Sequence, residues 1–270
     1  MPQFNLNGLK LYYEDLGDPD APEVIAFFNG VMASVSSWDL IQPIFVKLGY
    51  RVILHDFKGQ LKSDKPSGEY TFAEHATEAQ ALFEYLGVKK PHIVGTSYGG
   101  EIAMKFAILF PEMVKTISVI DSVSETDEVL RGFIDTWNVL CDTRDGELFF
   151  KGMAPSIYGP CFMREQSEML AARAKAFKSV APDYFEGQKI LYSAFKKDAD
   201  MTGELRKITC PVLVICGQDD ILKPPKFSKI IADSIPDSEY FLLPNCGHVA
   251  IFEKPKELAT AILGFIGKHS

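Results

Sequence analysis

One pattern constrains the fold of this chain more than any other: short apolar runs that alternate with helix-patterned segments. The runs are EVIAFFNG (23–30), YRVILHDF (50–57), KPHIVG (90–95), VKTISVID (114–121), CPVLVICG (210–217) and EYFLLP (239–244). Runs this short, rich in β-branched residues and without polar alternation, read as strands buried on both faces. Strands that alternate with helices imply a mostly parallel sheet covered on each side. The start, QFNLNGLKLYYED, adds a hairpin that turns at Asn7-Gly8, which brings the expected sheet to eight strands. Residues 71–86 give the clearest helix. Thr71 and Glu74 form a capping box, Phe72, Ala76, Ala79, Phe83 and Leu86 recur at helical spacing, and Gly87 stops it. Further helices are expected from about Ser37 to Leu48, from Ser97 to the residue before Pro111, near 225–234 and at 255–267.

The texture changes between 125 and 205, where no strand is legible. Val129, Leu130, Phe133, Ile134, Trp137, Leu140 and Cys141 mark one helix with a wide apolar face. Met163, Leu170 and Phe177 recur every seven residues, and Tyr184, Leu191 and Phe195 mark another helix. The expected organisation is a core of residues 1–124 and 206–270 with a helical insertion, 125–205, between two strands. Such an insertion lies over the carboxyl ends of a parallel sheet, where ligands bind, so it is a candidate lid.

Composition narrows the partners. The 270 residues are 47% hydrophobic and 24% charged, with a formal charge of −8. An acidic surface argues against nucleic acid and anionic membrane as main partners. The N-terminus lacks a basic region followed by an apolar run, so no signal peptide is expected. No apolar stretch approaches the ~20 residues of a membrane span. Five cysteines, an odd number with no C-x-x-C pair, read as reduced thiols in a cytoplasmic protein. No His/Cys cluster has metal-ligand spacing, and neither a metal nor a cofactor is expected.

Residues 92–100 read HIVGTSYGG, with Ser97 at the end of an apolar strand and the start of a helix. A glycine-rich connection with a capping serine would also fit the pentapeptide. The other reading is a nucleophile elbow. Side chains at 95 and 99 would collide with neighbouring backbone, and the serine hydroxyl would project above the sheet edge at a helix N-terminus. Serine needs a base, and the base an orienting acid. His248, in PNCGHVAIFEKP, follows a strand. His75 lies on the capped helix, His92 begins a strand, His269 lies at the end of the chain, and His55 reads as structural, close to the sheet's carboxyl edge. Asp220, in PVLVICGQDDILKPP, follows a strand between Ser97 and His248, with Asp121 at the end of SVID as its rival. The order Ser97, Asp220, His248 is that of the α/β-hydrolase class of serine nucleophiles. Backbone donors for an oxyanion are expected from the N–H of Tyr98 and, after the turn at Asn29-Gly30, of Val31.

With GTSYGG, GQDDILKP and GHVAIFEKP in this order, the chain resembles the α/β-hydrolase-fold superfamily along nearly its whole length, as a serine-nucleophile member with a helical cap. The resemblance implies Ser97 as nucleophile, Asp220 as acid, His248 as base, and Val31 and Tyr98 as oxyanion donors. Two stretches depart from the family pattern. Asn29-Gly30 stands where His-Gly is usual, as in some enol-lactonases, which makes Asn29 a candidate substrate contact. DFKGQLKS replaces D-x-R-G-x-G-x-S, with Lys58 for Arg and Leu61 for Gly.

A serine nucleophile implies acyl transfer to water. The expected substrate is a small-molecule carboxylic ester of small to medium acyl length. Trp137 and other aromatic residues of the insertion, Phe149, Phe150, Tyr158 and Tyr192, together with Met163, are candidates for an apolar pocket. A lactonase, enol-lactones included, and a carbon–carbon bond hydrolase of diketone-like compounds are the enzymatic alternatives. A ligand receptor on the same fold is the non-enzymatic one.

Overall fold

The computed structural model describes residues 2–269. Eight strands form one sheet: β1 (Gln3–Leu6), β2 (Leu9–Leu16), β3 (Val24–Phe28), β4 (Arg51–His55), β5 (His92–Thr96), β6 (Thr116–Ile120), β7 (Val212–Gly217) and β8 (Ser238–Leu243), in the order β1-β2-β4-β3-β5-β6-β7-β8. The hairpin strand β1 pairs antiparallel with β2, and β2 antiparallel with β4. All remaining pairings are parallel. Asn7 and Gly8 both take positive φ, 53° and 97°, as a tight two-residue hairpin turn requires. Every residue of β4, β5, β6 and β7 is buried, which is why these strands read as continuous apolar runs.

Eleven helices accompany the sheet among the described residues. Around the sheet lie α1 (Gln42–Lys47), α2 (Phe72–Tyr85) and α3 (Tyr98–Leu109). Between β6 and β7 come α4 (Glu128–Asp142), α5 (Gly146–Ile157), α6 (Pro160–Glu165), α7 (Ser167–Ala176) and α8 (Pro182–Asp198). The chain closes with α9 (Pro225–Ser234), α10 (Ala250–Glu253) and α11 (Pro255–Lys268). Phe45 of α1 and Leu258, Ile262 and Ile266 of α11 pack on one face of the sheet, and the apolar sides of α2, α3 and α9 on the other. Thr71 caps α2 as expected: its side chain accepts from Glu74 N–H while Glu74 reaches back to the Thr71 N–H.

Three expectations need correction. The helix expected over 37–48 is split into a 3-10 turn, Val35–Trp38, and α1. Pro43 has no N–H for a helix running through it, so the helix restarts there. The seven-residue spacing of Met163, Leu170 and Phe177 does not make one helix. The chain breaks at Gln166, between α6 and α7, and Phe177 sits in a following 3-10 turn. Val129 is 65% exposed, so the apolar face of α4 is Leu130, Ile134, Trp137 and Cys141, with Phe133 and Leu140 packed beside them and Val129 outside it.

Candidate functional site

The site is built at the carboxyl ends of β5, β7 and β8. Ser97 has φ 53° and ψ −119°, a left-handed setting for a residue with a side chain, and it directly precedes α3. Such a conformation persists only where packing over-determines it. The glycines supply that packing. A Cβ on Gly95 would strike the Gly99 carbonyl, and one on Gly99 would strike Phe28 O and lie 2.8 Å from Asn29 O. One on Gly100 would strike Ser122 Oγ. The elbow therefore fits only where three side chains are missing.

Ser97 Oγ lies 3.0 Å from His248 Nε2, and His248 Nδ1 lies 2.8 Å from Asp220 Oδ2. With its proton on Nδ1, the ring donates to Asp220 and leaves Nε2 to accept from the serine hydroxyl. The other oxygen of Asp220 accepts from Leu222 N–H at 2.9 Å and Lys223 N–H at 2.8 Å, so the turn after β7 fixes the carboxylate. The His248 N–H donates to Ile157 O at 2.9 Å, tying the histidine loop to α5. Glu253 completes the tie, accepting from Gly247 N–H at 2.9 Å and Gly159 N–H at 3.1 Å.

Asp121, the rival acid, does not reach the histidine. It accepts from Gly217 N–H at 2.8 Å and Ala250 N–H at 3.4 Å. Burial, helped by the nearby Asp220 charge, pushes its carboxyl well above the usual carboxylate range. Asp121, Cys216 and Asp220 bring ligand-type atoms within 4.8 Å of one another. The Asp220 and Asp121 oxygens in that group are occupied by protein donors, as described.

Gly30 packs against the elbow: a Cβ there would lie 3.4 Å from Ser97 Cβ. This brings the loop carrying Val31 beside Ser97, and Tyr98 follows Ser97 as the first residue of α3. Here Asn29 must be corrected. It is fully buried and does not line the cavity. Its Nδ2 donates to His55 O (2.9 Å), Asp56 Oδ1 (3.2 Å) and Gln60 Oε1 (3.1 Å), and its Oδ1 accepts from Trp38 Nε1 at 2.8 Å. Gln60 Nε2 in turn donates to Gly30 O at 2.8 Å. Asn29 thus braces the loop and touches no substrate space. The departures in DFKGQLKS are accommodated too: Lys58 pairs with Glu74 at 3.0 Å and Glu78 at 2.8 Å. His55 is buried between Phe28 and Phe57, as a structural residue.

A cavity of about 130 Å³ opens on Ser97 and His248. Its walls include Trp137, Phe150, Met153 and Tyr158 of the insertion and Val249 and Phe252 of the core. Of the aromatic candidates, Trp137, Phe150 and Tyr158 line it. Phe149 instead packs against Phe177, Tyr184 and Phe185, and Met163 lies outside. Two residues absent from the sequence reading stand at the site. Arg173 lines the cavity, donating to Tyr158 Oη at 3.1 Å and lying 4.5 Å over the Phe252 ring. Lys223 donates to Ser97 Oγ at 3.2 Å. A glutamate, Glu101, in the otherwise apolar start of α3 was the available signal for a buried cation nearby.

Among the described residues, no helix is long and apolar enough to cross a membrane. The model of the family described as alpha/beta hydrolase fold matches residues 23–255. A bifunctional esterase/perhydrolase of Acinetobacter calcoaceticus is 29% identical over 279 residues, spanning 96% of this chain and 97% of its own length. A 2-hydroxy-6-oxononadienedioate/2-hydroxy-6-oxononatrienedioate hydrolase of Pseudomonas sp is 26% identical over 270 residues, spanning 97% of this chain and 93% of its own. The solved structure of MGS-M2, an alpha/beta hydrolase enzyme from a Medee basin deep-sea metagenome library, matches with a TM-score of 0.92 and 29% identity over 98% of this chain and 97% of that one. With its strand order and the family match over most of its length, the chain belongs to the alpha/beta hydrolase family.

Proposed function

We propose that the protein is a carboxylic ester hydrolase that works through an acyl-enzyme on Ser97. The observation that carries this reading is the unbroken hydrogen-bonded run from Ser97 Oγ through His248 to Asp220, opening on an apolar-walled cavity. His248 Nε2 takes the serine proton as Oγ attacks the ester carbonyl. The N–H groups of Val31 and Tyr98 receive the oxyanion. His248 then protonates the leaving alcohol, activates a water, and the acid is released. Asp220 holds the imidazole in the tautomer this needs. The insertion, residues 125–205, acts as a cap on the core of 1–124 and 206–270, and Trp137 shapes the acyl side. The related esterase/perhydrolase of Acinetobacter calcoaceticus is named for the same chemistry.

The test is hydrolysis of p-nitrophenyl esters of increasing acyl length by wild type and Ser97→Ala. Turnover in wild type that vanishes in the variant supports the reading, and the chain-length optimum sizes the cavity. Equal turnover in both overturns it.

A second reading has one observation in its favour. Arg173 lines the largely apolar-walled cavity with Tyr158 and Phe252 as its contacts and, among the described residues, no carboxylate paired to it. A guanidinium so placed suits a substrate with a carboxylate remote from the scissile bond. That is the kind of compound in the name of the Pseudomonas relative, a dienedioate hydrolase. Comparing neutral esters with dicarboxylate monoesters and diketone acids separates the two readings.

A further inference from the structure

The triad and the oxyanion donors leave one charged group at the nucleophile without a role. Lys223 is buried, its side chain 4% exposed, and its partner Glu101 is 0% exposed. The ammonium donates to Glu101 Oε1 at 2.8 Å and to Ser97 Oγ at 3.2 Å. It also lies 4.7 Å over the Phe195 ring, on the underside of the insertion. Glu101 in turn accepts from Val123 N–H at 2.9 Å, which anchors the pair to the end of β6. The Lys223 main chain is fixed as well, by its N–H to Asp220. A cation with its neighbours this well determined is held in place. A small void of about 10 Å³ beside it has Ser97, Val31, Tyr98 and Lys223 among its lining residues.

We propose that Lys223 is a further catalytic residue, a charged donor to Ser97 Oγ that makes serine a better leaving group when the acyl-enzyme is hydrolysed. This rests on the ester-hydrolase reading of the site. In deacylation, His248 removes a proton from water as the water oxygen bonds to the acyl carbon. The tetrahedral anion then collapses. The Oγ–C bond breaks, its electron pair moves onto Oγ, and His248 returns the proton to Oγ. The products are the carboxylic acid and free serine. Lys223 keeps all its protons throughout. Its hydrogen bond to Oγ strengthens as charge builds on that oxygen, which stabilises the transition state more than the ground state. Glu101 keeps the ammonium aimed and compensates its burial.

Removing one partner of a buried ion pair leaves an orphan charge and risks unfolding, whereas replacing both does not. The test therefore uses two paired variants, Glu101→Gln with Lys223→Met and Glu101→Gln with Lys223→Gln. Circular dichroism identifies which of them is folded. p-Nitrophenyl acetate turnover is followed from the first turnover, with intact-protein mass measured during steady state and Ser97→Ala run alongside. The expected result is a stoichiometric burst of p-nitrophenol, a steady rate lower by about 10²-fold, the scale of losing one transition-state donor, and an accumulating acetyl-enzyme mass. A folded paired variant with the wild-type steady rate overturns the proposal. So does a lower rate without accumulation, which assigns the pair to support of the elbow alone. If Ser97→Ala is inert while the paired variant matches wild type, only this inference falls. If Ser97→Ala is as active as wild type, the nucleophile reading falls and takes this inference with it.

Discussion

Two aspartates stand within reach of the same strand ends, and their hydrogen bonds separate them. Asp220 accepts from the imidazole while Asp121 accepts from two backbone N–H groups. An asparagine at 220 would present an amide that no longer enforces the Nδ1–H tautomer. Asp220→Asn is therefore expected to lower kcat by about 10⁴-fold, the scale seen when the orienting acid of such a triad is neutralised. Asp121→Asn keeps an acceptor for Gly217 N–H and is expected to leave most of the turnover in place. Steady-state kinetics of the two variants checks this, and the reverse order would move the acid role to Asp121. At this scale Ser97, His248 and Asp220 were legible because each sits in a local motif next to a strand end. Asn29 was misread because its neighbours, His55, Asp56, Gln60 and Trp38, come from other stretches of the chain. Lys223 and Glu101 are 122 positions apart, and no local pattern announces such a pair.

The elements that were legible have their own signals: the capping box of α2, the continuous apolar runs of β4 to β7, the Asn-Gly hairpin. Beside the segment split at Pro43, the element misjudged is one in which an apolar spacing outlasts the helix. Met163 and Leu170 both pack toward the core although Gln166 breaks the chain between them. Periodicity reports which side chains face inward and does not report continuity of the backbone. Two elements also carry a shared acid sensitivity. His55 ends β4 and His75 lies on α2, both wholly buried; His55 Nε2 lacks a hydrogen-bond partner among the described residues, and His75 Nδ1 lies 3.4 Å from Glu78 Oε2. Burial lowers both rings below their ordinary value of 6.5, His55 to about 3. The unfolded chain then binds these protons first as pH falls. The stability these neutral rings contribute is full above pH 6.5 and declines as pH falls below it, for His55 toward about 3. Thermal midpoints across that range should fall, and more shallowly in His55→Phe. A variant with an undiminished slope would show that the loss has another source.

The mostly parallel sheet of eight strands was readable across the molecule because, after the N-terminal hairpin, strands and helices alternate on either side of the helical block between β6 and β7. What joins the insertion to the core was not. The contacts of Glu253 with Gly247 and Gly159, and of His248 N–H with Ile157, link segments that are distant in the chain. They couple the loop that carries the histidine to the helices that wall the cavity. Fold alone decides neither substrate nor reaction, so the account depends on one atom, Ser97 Oγ, being an activated nucleophile. A fluorophosphonate tests this most directly, because it forms a stable adduct only with a serine made nucleophilic by its surroundings. Wild type is treated with the reagent and the labelled peptide located by mass spectrometry, beside His248→Ala. The account predicts a single adduct on the peptide containing Ser97 in wild type and none in the variant. An unlabelled Ser97, or equal labelling in His248→Ala, would contradict it.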